Sequence, residues 1–122
     1  MTILNSNGYV GIGTTAPAYK LDVNGDIRAT NAIYANEILV STPSGADFVF
    51  DENYQLPSLD AVREYIQQNK HLPEIQSEQD MQENGVNVNQ FQIQLLQKIE
   101  ELTLYILKQE ERIKELEAKA EK

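Results

Sequence analysis

Residues 95–117 read LLQKIEELTLYILKQEERIKELE, and the spacing of their isoleucines and leucines decides the architecture. Ile99, Ile106 and Ile113 stand seven apart and are followed by Ala120. Leu95, Leu102 and Leu116 form a second seven-residue series, with Gln109 in its remaining place. The two series are offset by three, which is a heptad with Ile at a and Leu at d. No Pro or Gly interrupts the stretch, and about thirty helical residues extend about 45 Å. A stripe confined to a and d is too narrow to pack such a helix into a globular core. The expectation is therefore a parallel coiled coil of identical chains over 91–122, capped at Asn89 with Gln92 at the third helical position.

Ile at a with Leu at d favours two strands by the simplest rule. Two features point to three. Gln109 places an amide in the seam, and a polar layer fixes register and oligomer state at some cost in stability. Arg112-Ile113-Lys114-Glu115-Leu116-Glu117 also resembles a short trimerisation motif of coiled coils: Arg, apolar, two variable, apolar, Glu. Arg112 falls at g and Glu117 at the following e. There the guanidinium forks onto a neighbour's carboxylate while its stem covers the seam. As an ordinary solvated pair the two would contribute only ~0.5 kcal/mol. The oligomerisation set is thus Leu95, Ile99, Leu102, Ile106, Gln109, Arg112, Ile113, Leu116 and Glu117, in a homotrimer. Ile93, Leu96, Leu104 and Leu107 lie off a and d. The first half of the helix should therefore be covered on its outside as well, by residues 47–90 through Leu59, Val62, Ile66, Leu72 and Ile75.

Upstream, the period changes. In 47–90, Ser58 precedes Leu59, Val62 and Ile66, with Asp60 in the first turn and Pro73 beyond the end. This predicts a helix over about 58–68 capped by Ser58. Ser77-Glu78-Gln79-Asp80 resembles a capping box and Asn84-Gly85 a stop, giving a second, shorter helix. Asp47-Phe48-Val49-Phe50 reads as a strand with Phe48 and Phe50 on one side. Lys70 to Ile75 reads as an ordered loop with Leu72 and Ile75 tucked inward. Residues 1–46 hold all but one of the glycines, with short apolar groups at 10–12, 21–23, 27–29 and 38–40 divided by turn residues. These read as short strands. At Asn24-Gly25 a three-residue hairpin loop would pair Val23 with Ile27 and Leu21 with Ala29, keeping apolar side chains on one face. Ile27, Ile33 and Leu39 also align with a period of six, in fewer than the three copies a repeat needs. So few short strands require a partner surface, and a copy of the same chain is the economical one. The expected class is α+β. It comprises a β-rich shaft segment of an intertwined trimeric β fibre (1–46), a small acidic α/β module (47–90) and the trimerisation helix (91–122).

Composition removes most chemistry. The net charge is −9, of which −7 lies between residues 47 and 90; phosphate binding needs a cationic face, so nucleic acid is not an expected partner. Cys is absent and His71 is the single histidine, which leaves no thiol nucleophile and no multi-His metal site in one chain. No nucleophile–base–acid set is legible. Gly11-Ile12-Gly13 lacks the third glycine of a dinucleotide loop, and Asp51-Glu52-Asn53 lacks the spacing of a calcium loop. We expect no enzyme activity, no catalytic residues, no cofactor and no bound metal. No run of 18 apolar residues predicts membrane insertion, and residues 1–20 lack the basic start and apolar stretch of a signal peptide.

Val10-Gly11-Ile12-Gly13-Thr14-Thr15-Ala16-Pro17, followed by Lys20-Leu21-Asp22-Val23-Asn24-Gly25, resembles the repeat of phage-type tail fibres. Residues 45–50, Leu59, Tyr65-Ile66, Asn69-Lys70-His71-Leu72-Pro73 and 95–105 resemble the C-terminal segment of tail-fibre-like proteins common in Bacteroidota. The resemblance covers nearly the whole chain. It implies the distal end of a homotrimeric tail fibre, on a virion or an extracellular contractile injection particle. It also implies an upstream fibre or baseplate protein and a cell-surface receptor as partners. The architecture is similar to intramolecular chaperone domains of phage tail spikes, some of which cleave themselves at a Ser-Asp pair. Here Gly45-Ala46 separates Ser44 from Asp47 and no basic residues follow, so self-cleavage is not expected. A binding tip is the alternative role, with Tyr9, Tyr19 and Tyr34 stacking on sugars; strand packing is the expected use of the three.

Overall fold

The computed structural model describes residues 3, 4, 6–41 and 45–121. The chain is α+β and divides into two compact units, the boundary falling between Ile38 and Leu39. Ser44, one half of the Ser-Asp pair considered above, lies outside the described residues.

The first unit is a three-stranded sheet in the order β1 (Ile3–Leu4), β2 (Val10–Ile12), β3 (Leu21–Val23). β1 and β2 are antiparallel, whereas β2 and β3 are parallel, with Val10 opposite Leu21 and Ile12 opposite Val23. Parallel neighbours usually need a connection of a dozen residues or more; here residues 13–20 suffice because the loop is clasped from both ends. Asn24 N–H donates to the Ile12 carbonyl at 2.8 Å and Val10 N–H to that of Lys20 at 2.8 Å. Asp22 Oδ2 accepts from Ala18 N–H at 2.9 Å. Gly13 turns the corner at φ +75°, where a Cβ would come within 2.6 Å of the Asn24 carbonyl oxygen.

The hairpin expected at Asn24-Gly25 is not formed. Asn24 is spent on the parallel clasp, its side-chain amide also donating to the Gly13 carbonyl. The chain runs on without strands at 27–29 or 38–40. Among the described residues no hydrogen bond engages positions 26–41, and Ile27, Ile33, Tyr34 and Leu39 are 69–100% exposed.

The second unit begins with a 3₁₀ turn, Asp47–Phe50, where a strand was expected. A turn of this pitch points Val49 inward and leaves Phe48 and Phe50 exposed. Phe48 packs edge-on against Tyr54, ring centroids 5.9 Å apart. Ala46 and Val49, each 1% exposed, are the buried apolar core among the described residues. Helix α1 (Leu59–Asn69) starts where Ser58 Oγ accepts from Ala61 N–H at 3.1 Å. It ends on Lys70 in the left-handed region at φ 62°. Helix α2 (Glu78–Asn84) is capped in the same way by Ser77 and ends at Gly85, φ +75°. Both caps agree with the sequence pattern.

Helix α3 (Val88–Ala120) is 33 residues long, about 50 Å. Its cap is Asn87, whose Oδ1 accepts from Gln90 N–H at 3.0 Å, two residues before the expected Asn89. Asn87 is the first amide after the Gly85 turn, so it meets the free N–H groups first.

Gly13→Ala should strain the β2–β3 corner by about 1–3 kcal/mol. The expected outcome is faster hydrogen exchange at the Asn24 amide, with α1 and α3 amides unchanged.

Candidate oligomerisation seam on α3

Helix α3 has two faces with opposite chemistry. On the outer face, Gln97, Lys98, Glu100 and Glu101, at heptad positions f, g, b and c, are buried. They are covered by their own chain, as expected for the first half of the helix, but through polar contacts more than apolar ones. Tyr54 Oη donates to Glu101 Oε1 at 3.0 Å. Gln97 Nε2 donates to the same oxygen at 3.1 Å and to Glu74 Oε2 at 3.2 Å. Lys98 Nζ bridges Glu74 and Glu101, 3.2 Å from each. Further along, Tyr105 Oη donates to the Pro57 carbonyl at 2.5 Å.

Of the five apolar side chains expected to provide cover, Val62 and Leu72 line a small crevice against Lys98, Leu102 and Tyr105. Ile75 is half-buried, while Leu59 and Ile66 stay exposed, as does Leu72, which was expected to tuck inward. The buried Glu101 carboxylate and Lys98 ammonium, with the exposed Glu74, hold the module instead, while the buried Glu100 Oε2 has no hydrogen-bond partner among the described residues. A lysine between two glutamates satisfies charges that burial alone would penalise.

The inner face carries the predicted set. Leu95, Ile99, Leu102, Ile106, Ile113 and Leu116 are 40–61% exposed, and Gln109, Arg112 and Glu117 are exposed. The intrachain cover therefore occupies positions b, c, f and g and leaves a and d bare. The earlier start of α3 adds Val88, an exposed residue one heptad before Leu95 at d. Within one chain Arg112 reaches Glu115 Oε2 at 3.3 Å and not Glu117. That pair is exposed and contributes little, so the guanidinium remains available to another chain. Covering the exposed part of each seam side chain is worth on the order of 1 kcal/mol.

Elsewhere, polar groups serve structure. His71 Nδ1 lies 2.9 Å from the Leu72 carbonyl oxygen, and a carbonyl only accepts, so Nδ1 carries the proton. The ring also packs edge-on against Tyr65. Hydrogen bonds from Asn84 and Gln76 hold the Asp80 carboxyl below its usual range. Among the described residues no cluster of three or more His, Cys, Asp or Glu side chains is placed to hold a metal ion. Among the described residues no helix is long and apolar enough to cross a membrane. No family model, curated protein or solved structure matches the chain.

The clasp of Tyr54, Glu74, Gln97, Lys98, Glu101 and Tyr105 was not anticipated as a unit. Its signal was a Gln-Lys and Glu-Glu run on the side opposite the isoleucines. Burial pushes the Tyr54 phenol above its ordinary value; the Gln97 hydrogen bond lowers it, and Glu101 raises it further. Tyr105 is raised by burial and then by the Glu101 charge. The fold favours the neutral phenols. Their contribution is therefore present below the unfolded value near 10 and lost as pH rises through the raised folded value. Tyr54→Phe should cost about 1 kcal/mol at neutral pH and flatten the alkaline fall in unfolding midpoint above about pH 10. An unchanged alkaline slope would remove Tyr54 from this role.

Proposed function

We propose that the chain is a structural and assembly protein, the distal C-terminal part of a homotrimeric tail fibre. Three parallel α3 helices bury the Ile/Leu seam, set the chains in register and bring the N-terminal segments together. The observation that carries this reading is the bare a/d stripe with the chain's own module on the opposite face. A helix needed only for the fold of its own unit would turn its isoleucines inward.

Two further features support it. The exposed stretch 26–41 spaces Ile27, Ile33 and Leu39 at six residues and makes no hydrogen bond among the described residues. Pairing between chains carries a large ordering cost and exposes edges that aggregate. A coil holding three copies at high effective concentration removes most of that cost. The motifs resembling tail fibres give the setting: a virion or extracellular injection particle, joined to an upstream fibre or baseplate protein.

The chain performs no catalysis in this reading, and neither cofactor nor nucleic acid takes part. The second reading, a tip that binds a surface glycan or protein, is favoured by Tyr19 and Tyr34, which are 73% and 95% exposed. Strand packing, the use first expected of these tyrosines, does not occupy them in one copy. Glycan-array binding by the intact protein that is lost in Tyr19→Ala/Tyr34→Ala would establish the tip role.

Light scattering coupled to size exclusion should give a mass near three times 13.8 kDa. Ile99→Asp/Ile106→Asp should give single chains. A single-chain wild type would overturn the proposal. Gln109→Leu should raise the thermal midpoint and broaden the oligomer distribution, because the polar layer trades stability for register.

A further inference from the structure

A groove of about 420 Å³ runs beside α3 where the module ends. Leu56, Pro57 and Leu59 form one wall, and Tyr105, Lys108 and Arg112 the other. The Tyr105–Pro57 hydrogen bond ties the two walls together. No acidic side chain lines the groove, although the chain is strongly acidic overall. Tyr105 and Arg112 are successive g positions, so the groove flanks the g edge of the seam. Lys108 is at c, a position that in an ordinary coil meets no partner.

The geometry points to a second copy of this chain as the occupant: Glu110 of the adjacent protomer enters the groove, its carboxylate facing Lys108 and Arg112 and its stem lying on Leu56 and Leu59. This deepens the trimer reading and rests on it. In a parallel coil the g edge of one helix meets the e edge of the next. Glu110 is the e residue whose height falls between Tyr105 and Arg112. Its present partner is Lys114 at 3.1 Å, in an exposed i,i+4 pair that contributes only tenths of a kcal/mol and is readily exchanged. Threefold symmetry repeats the contact around the axis and closes it. The interface then includes the segment Leu56–Leu59, and the module takes part in choosing the partner as well as covering its own helix.

The chain has no native cysteine, which makes cross-linking diagnostic. A tagged Leu56→Cys chain is co-refolded with an untagged Glu110→Cys chain and oxidised, and wild-type mass is measured in parallel. A trimeric wild type with the mixed tagged–untagged disulfide as the main product is expected. A trimer without that product overturns the groove assignment and leaves the trimer standing; a single-chain wild type overturns both. As a second measurement, Glu110→Lys should weaken association about tenfold, and adding Lys108→Glu should restore it. Within one helix, residues two apart do not face each other. Failure to restore would therefore exclude Lys108 from the contact.

Discussion

The Glu101 carboxylate, buried on the outer side of α3, accepts hydrogen bonds from Tyr54, Gln97 and Lys98 at 3.0–3.2 Å. A buried charge without partners is very costly, and removing the oppositely charged partner of a buried ion pair typically costs about 3–5 kcal/mol. The helix is therefore not free to rotate against its module. An apolar contact would tolerate a turn of a few tens of degrees; the contacts that cross from α3 to the module, Tyr54 with Glu101 and Glu74 with Gln97 and Lys98, tolerate much less. The rotation so fixed is the one that directs Ile99 and Ile106 away from the body. Directional polar contacts thus decide where the non-directional apolar face points.

This division of labour suits the proposed self-association. In the proposed trimer the apolar seam supplies most of the attraction between chains, while Gln109 and the charged edges restrict the arrangement. The first unit has the opposite balance. Its parallel β2–β3 corner is stitched by main-chain bonds and by the Asn24 and Asp22 side chains, so it holds together without burying much surface. Beyond it, residues 26–41 display isoleucine, leucine and tyrosine to solvent. In the proposed fibre, order spreads from a cheaply formed coil to strands that cannot order alone.

Much of the helical architecture was legible in the amino-acid order because helices announce themselves locally. Ser58 and Ser77 sit one residue ahead of their helices, and the Ile/Leu spacing of α3 repeats over four turns and more. The strand readings at 10–12 and 21–23 survived for a related reason, since alternation depends on near neighbours. The partners of those strands were not legible. Asn24-Gly25 has the chemistry of a hairpin turn, yet Asn24 bonds eleven and twelve residues back, to Gly13 and Ile12. The run Asp47–Phe50 has strand-forming composition, but burial of Val49 and the edge-on contact of Phe48 with Tyr54 favour a tight turn. The clasp was hidden for the same reason. Tyr54, Glu74 and Glu101 are far apart in the chain, and nothing about each residue marks it as a mutual partner.

Ala46 and Val49 are the only hydrophobic side chains that this unit, among its described residues, hides almost completely from water. So slight an interior gives a solitary molecule a shallow free-energy well, and the rest of the gain becomes available on meeting others. In the proposed trimer mass action then governs the fold itself: dilution erodes it and abundance sharpens it, so that the native form becomes a property of the population and not of the individual polypeptide.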